Sequence, residues 1–307
     1  MSLTSRIALA GEEGTDPEDI LSESLGVVFP DDVTNQHGDP DSWLVYTSPH
    51  LPRPLQLKLC QPGDDTERRL FSHYLWNSSL LLAELIERDS YLVGREGGTV
   101  EEGDEAGSVG LFNVRGRRTV ELGAGTALPS IMGGLLGAEE VLVTDYPAPP
   151  LIEALRTNVG RNVTVGLSPL GRVSLDVRVL GHEWGTFPEG DEVTGKRHTF
   201  DRVLVCDCLW MPWQHGNLQR SVDHLLKQTT EARCWVVAGF HTGRSKMAGF
   251  FDEEALKEEA GCEIEKIWEQ DCDGKQREWV KDQQEEDPGT RKRWLVVAVL
   301  KRTQRER

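Results

Sequence analysis

The sequence predicts an α/β fold: a mostly parallel, doubly wound sheet of seven strands, ending in an antiparallel hairpin and preceded by an N-terminal β-hairpin extension. Three observations predict it. From residue 117 onward, short apolar runs alternate with stretches of helical periodicity, the pattern of βαβ units. The stretch Glu121-Leu122-Gly123-Ala124-Gly125 sets a glycine turn between a strand and a helix. The last two apolar runs have only a charged loop, 271–288, between them. Without a crossover helix they pair antiparallel or through a long hairpin.

Taken in order, residues 1 to about 40 are polar, acidic and broken by Gly and Pro, with a short helix fitting at 17–25 and Asp16 as its cap. Strands at 43–46 and 55–59, joined by a proline-rich turn, form a hairpin that would precede the main sheet and lid the site. At 71–88, Leu75, Leu81, Leu82, Leu85 and Ile86 recur at three- and four-residue spacing, predicting a helix with Trp76-Asn77 in its first half. A glycine- and glutamate-rich surface insertion follows at 94–110. The alternation then runs strand 118–122, helix 128–136, strand 140–144, helix 150–159 and strand 173–179. After a hydrophilic insertion at 187–199 come strand 200–206, helix 215–229, strand 233–239, helix 250–260, strand 262–269 and strand 293–300. No repeat and no second core are visible. The chain divides into an arm with its hairpin, 1–69, and one domain, 70–307.

The bulk properties narrow the function. A chain of 307 residues with 38% hydrophobic and 28% charged residues has the composition of a soluble globular protein. Its apolar runs fall far short of the roughly 20 residues a membrane span needs, and no secretory h-region follows Met1, so a cytoplasmic or nuclear location and no membrane partner are expected. Cys206 and Cys208 are the only close pair among six cysteines, without zinc spacing; reduced thiols and no metal are expected. A net charge of −17 argues against nucleic acid as a partner. It favours a basic protein or a cationic small molecule, or serves solubility alone. The protein is expected to be a monomer.

The glycine turn carries the chemistry. Gly123 and Gly125 remove Cβ atoms where backbone passes close to a ligand, and the next helix points free N–H groups at it. Glu121, ending the strand, would order the loop or reach an amino group. Asp145 ends the following strand, twenty residues past Gly125, where a carboxylate accepts from both ribose hydroxyls. A dinucleotide fingerprint wants a small residue where Leu128 stands. The E-x-G-x-G pattern, the terminal acid and the seven-strand tail point instead to S-adenosyl-L-methionine.

The stretch Glu121 to Pro129, followed by Val143-Thr144-Asp145-Tyr146-Pro147, resembles the family-16 seven-strand methyltransferases. These have the Rossmann-like class I fold and include nicotinamide N-methyltransferase-like and small lysine methyltransferases. Within them it is similar to the fungal branch that methylates the N-terminus and adjacent lysine of elongation factor 1-alpha. His73-Tyr74-Leu75-Trp76-Asn77 resembles an upstream segment whose tryptophan lies against the cofactor. Gly181-His182-Glu183-Trp184-Gly185 resembles a segment near the adenine, and Asp207-Cys208-Leu209-Trp210 the one at the end of the fourth strand.

The resemblance implies cofactor contacts at Trp76, Gly123, Ala124, Gly125, Asp145, Trp184 and Cys206, with Glu121 and Tyr146 beside them. It implies catalytic positions at Asp207, which would hold the amine, and at Trp210, which with Trp213 would wall it. The plainer alternatives are core packing for the tryptophans and helix capping for Asp207. The family has Phe or Tyr where Trp210 stands, and Met211-Pro212 interrupt the branch's pattern before His215. His215 and His241 read as structural or solvent-facing. The expected activity is N-methylation of a protein amine. The alternatives are a small-molecule N-methyltransferase and a methyltransferase-fold binding or regulatory subunit.

Overall fold

The computed structural model describes residues 2–10, 35–38, 43–61, 74–92, 110–281 and 288–303. The expected helix at 17–25, Phe71 and nearly all of the insertion at 94–110 lie outside these residues. The hairpin forms as expected, from β3 (Trp43–Tyr46) and β4 (Leu55–Lys58), with β1 (Ile7–Ala10) added on the other edge of β3 and β2 (Gln36–His37) lying between β1 and β3 in sequence. Alternate residues Leu44, Tyr46, Leu55 and Leu57 turn inward and are buried. The hairpin does not lid the cleft described below: Asn158 and Asn162 bind the backbone of Lys58 and Gln56, so it braces a helix instead. The first long helix is α1 (Asn77–Leu92). It starts later than its periodicity suggests because β5 (Leu75–Trp76) pairs with β2, so Trp76 stands on a strand and Asn77 opens the helix.

The main sheet contains β6 (Arg118–Leu122), β7 (Glu140–Asp145), β8 (Asp176–Gly181), β9 (Arg202–Cys206), β10 (Arg233–Gly239), β11 (Cys262–Asp271), β12 (Gln276–Glu278) and β13 (Trp294–Arg302). Between them run α2 (Leu128–Leu135), α3 (Pro149–Asn162), α4 (His215–Leu225), α5 (Arg244–Ala248), α6 (Glu253–Glu259) and α7 (Pro288–Lys292). Side-chain alternation explains the two layers. Val141, Val143, Leu204, Cys206, Trp235, Val237, Leu295 and Val297 face one core with α1, α2 and α3. Leu142, Val203, Val205, Cys234, Val236, Val296 and Ala298 face another with α4, α5 and α6.

The strand order is β12-β11-β13-β10-β9-β6-β7-β8. The five strands from β10 to β8 are parallel, and β13 and β11 pair antiparallel, as expected. One strand more is present than expected: β12 forms inside the second acidic insertion and pairs with β11. Boundaries differ from the periodicity where distant hydrogen bonds act. Ser174 bonds to Gly134 and Glu139, so the chain joins the sheet only at Asp176. Lys227 N–H donates to Phe200, which ends α4 early. The helix expected at 250–260 is α6, capped by Asp252 and preceded by a 3-10 turn and α5. Among the described residues no helix is long and apolar enough to cross a membrane. From β6 the chain turns to β7 on one side and later to β9 on the other. That reversal opens a crevice at the carboxyl ends of β6 and β9.

Candidate active site

The crevice is a cleft of about 900 Å³ lined by residues from the ends of β5, β6, β7, β8 and β9. Its floor is the glycine loop. Gly123, Gly125 and Ala127 all take positive φ (66°, 56° and 62°), so the chain turns sharply before α2. A Cβ on Gly123 would stand 2.6 Å from Cys208 Sγ and 3.0 Å from Trp184 Cζ2. No side chain fits there. A Cβ on Gly125 would meet nothing within 4 Å. Ala124 N–H donates to Thr144, tying the loop to β7 at 3.0 Å.

Asp145 closes the end of β7 beside this loop. Its Oδ2 accepts from Gly125 N–H and its Oδ1 from Tyr146 N–H, both at 2.7 Å. Burial pushes its pKa up to about 6, against those two N–H groups. Glu121 lies beneath the floor. It is fully buried and absent from the lining, and its Oε2 accepts from Ser130 N–H in the first turn of α2. Burial pushes Glu121 up to about 8, with Ser130 opposing and Asp145 adding to the rise. Its place is therefore under the loop, ordering it, and not at the cleft surface.

The opposite wall belongs to β9 and β10. Asp207 has φ 54°, unusual for a non-glycine residue, and turns its carboxylate inward. Oδ2 accepts from Ser78 Oγ at 2.6 Å, and Oδ1 accepts from Gly239 N–H at 3.2 Å. His241 Nε2 lies 2.9 Å from Oδ1. Burial raises the Asp207 pKa, but His241, Ser78 and the Gly239 amide outweigh it and hold the group below the usual carboxylate range. His241 is shifted upward because its pairing with Asp207 outweighs its own burial. Its ring packs on Trp76 at 4.6 Å between centroids, tilted by 54°. Burial holds the Cys206 and Cys208 thiols well above their usual pKa, so both are neutral.

Trp76, Gly123, Ala124, Gly125, Asp145, Tyr146, Trp184, Cys206, Asp207 and Trp210 all line the cleft. Glu121 does not, and Trp213 is exposed (73%), outside the lining. His215 is structural, as expected: it is buried, with Nε2 against the Leu209 carbonyl at 2.9 Å. Of the two alternatives expected for His241, structural or solvent-facing, its place against Asp207 and Trp76 fits the first. Ser78 and Gly239 carry no sequence signal beyond adjacency to Asn77 and to the end of a strand.

The cleft fits S-adenosylmethionine. Asp145 has about four acceptor directions and two are used, so each oxygen can take one ribose hydroxyl. Gly123 gives close approach of backbone. Thr126 Oγ1, in the lining, is buried with no hydrogen-bond partner among the described residues.

A family model described as lysine methyltransferase, Methyltransf_16, matches residues 63–257. The chain is 29% identical over 214 residues to Protein N-terminal and lysine N-methyltransferase EFM7 of Gibberella zeae, covering 66% of this chain and 70% of that protein. It is 28% identical over 237 residues to the protein of that name in Schizosaccharomyces pombe, covering 75% and 79%. To that of Yarrowia lipolytica it is 29% identical over 215 residues, covering 65% and 68%. With well over half of its length matched by the family model, the chain belongs to the family-16 lysine methyltransferases and is an S-adenosylmethionine-dependent methyltransferase.

Proposed function

We propose that this enzyme methylates protein amines, a lysine and/or an N-terminal α-amine, and that its acceptor is elongation factor 1-alpha. The observation that carries this reading is the likeness, over 70% and 79% of their lengths, to relatives named protein N-terminal and lysine N-methyltransferases. The resemblance of Glu121–Pro129 with Val143–Pro147 to the fungal elongation-factor branch is what names the acceptor, while the segment after Trp210 departs from that branch.

In this reading Asp145 holds the ribose, and the backbone of Gly123, Ala124 and Gly125 runs along the donor. Trp76, Trp184 and Tyr146 give it flat apolar surfaces, and the neutral thiol of Cys206 fills the space between strand end and ligand. When bound, S-adenosylmethionine supplies an electrophilic methyl group on a cationic sulfonium. What the chain itself contributes is then alignment of a neutral amine. Ser78 and Gly239 take two of the roughly four acceptor directions of Asp207, and His241 Nε2 lies 2.9 Å from Oδ1. The open direction on Oδ2 accepts one N–H of the amine and turns its lone pair toward the methyl group. Trp210 walls the amine, and Trp213 stands further out at the surface. Ionised Asp207 is a poor proton acceptor, so the amine arrives deprotonated. An α-amine, at about 7.7–8.0, reaches that state more readily than a lysine at about 10.4.

The test is transfer of labelled methyl groups into a proteome and, separately, into a metabolite extract, both from cells lacking the enzyme. Label in one protein band of elongation-factor size is expected. Label confined to the metabolite extract would overturn the reading in favour of a small-molecule acceptor. Binding of the donor without transfer to either would make the chain a binding subunit.

A further inference from the structure

A second cleft, of about 600 Å³, shares Trp76 with the first. Asn35, Gln36, Phe240, His241, Arg291 and Lys292 complete its lining. We propose that it receives the acceptor chain next to the amine being methylated, and that Arg291 and Lys292 select acceptors carrying an Asp or Glu side chain there. The proposal rests on the reading that the acceptor is a protein.

The connection between the clefts is the first support. His241 lines the second cleft while its Nε2 lies 2.9 Å from Asp207, in the lining of the first. Trp76 lines both clefts, and the His241 ring packs on it at 4.6 Å between centroids. An extended chain advances about 3.3–3.6 Å per residue, so a peptide whose amine reaches Asp207 places its next few residues at the second cleft. A small-molecule acceptor has no use for that space.

The charge of the lining is the second support. The chain carries a net charge of −17, so acidic segments are repelled by most of its surface. Arg291 and Lys292 stand side by side in one wall of the second cleft, beside the active site. Such an arrangement gives specificity from both signs: acidic chains are refused elsewhere and accepted in one register. The guanidinium of Arg291 matches a carboxylate in two parallel hydrogen bonds, and Lys292 adds a point charge. Both residues end α7, with only Arg293 between them and the inner strand β13, so their backbone is tied closely to the sheet. The side-chain amides of Asn35 and Gln36 suit a peptide backbone; Asn35 also lies 3.3 Å from His241 Nδ1, which links peptide contact to the ring that holds Asp207.

The test uses the full-length enzyme and peptides copied from the acceptor that the labelling experiment identifies. Four combinations are measured: wild type and the Arg291→Ala/Lys292→Ala variant, each with the native peptide and with one whose Asp and Glu neighbours are replaced by Asn and Gln. The variant is expected to raise the KM for the native peptide roughly ten- to a hundredfold, with unchanged affinity for S-adenosylmethionine as the check on folding. Neutralising the peptide should cost the wild type the same factor, and the two changes together should cost no more than either alone. The charge-preserving variant Arg291→Lys/Lys292→Arg should keep most of the selectivity for the acidic peptide. Equal KM values for wild type and the alanine variant would overturn the subsite, as would additive losses or an acceptor lacking acid within about three residues of its amine. Methylation of small amines alone would overturn the protein-acceptor reading itself.

Discussion

Burial pushes Asp145 up to about 6 while its two oxygens hold the Gly125 and Tyr146 amides. An ionised carboxylate accepts from both ribose hydroxyls, whereas a protonated one gives up part of that capacity. Affinity for S-adenosylmethionine should therefore rise as pH increases through about 6 and then level off. Asp145→Asn should bind roughly ten- to a hundredfold more weakly at neutral pH and lose that dependence. Calorimetric titration across the range checks both, and a wild-type affinity indifferent to pH would remove Asp145 from the ribose. The sign for stability is opposite. The native pKa, about 6, lies above the unfolded value of 3.8, so ionisation costs the folded state and the ligand-free protein loses stability as pH rises between them. The position of Asp145 is legible in the sequence because strand, turn, helix and strand fix a nearly constant spacing. The depth of Glu121 is not, because the sequence does not say whether the last side chain of a strand faces a ligand or the layer beneath. The partners of Asp207 are out of reach: Ser78 is 129 positions away and Gly239 is 32.

The two loop glycines separate two demands that a motif runs together. Gly125→Ala meets open space, so its folding cost is the left-handed backbone alone, roughly 1–2 kcal/mol. Its Cβ, however, would stand in the cleft and obstruct the donor. Gly123→Ala adds a collision with Cys208 and Trp184, for roughly 1–3 kcal/mol more. Urea unfolding should find Gly125→Ala clearly the more stable of the two, and titration should find both impaired in cofactor binding; equal unfolding midpoints would contradict the geometry. At this scale most strands and helices can be read from periodicity. The ends of β8 and α4 cannot, because Gly134, Glu139 and Phe200 decide them through hydrogen bonds from elsewhere in the chain. The N-terminal hairpin is legible as an element, but its role as a brace is not. Its turn chemistry is local, while its docking on Asn158 and Asn162 spans about a hundred positions.

For the molecule as a whole, parallel pairing follows from the alternation of strands and helices, and the antiparallel end from the missing crossover. Strand order is not legible, since no local pattern states that β13 inserts between β10 and β11. Its residues Leu295, Val297 and Val299 serve one core, and Val296, Ala298 and Leu300 the other. A chain shortened to end before Trp294 should therefore aggregate, since β10 and β11 are left as bare apolar edges. Light scattering of the purified fragment checks this; a soluble, donor-binding fragment would show the strand to be dispensable. The same insertion has a consequence in time. Leu3 N–H donates to the Cys272 carbonyl, and β13 enters the middle of a sheet whose other strands precede it. At about 5–20 residues per second of synthesis, the first residues wait tens of seconds for their partner. During that interval both apolar faces stand half built, and the incomplete sheet is exposed to aggregation until its last strand arrives.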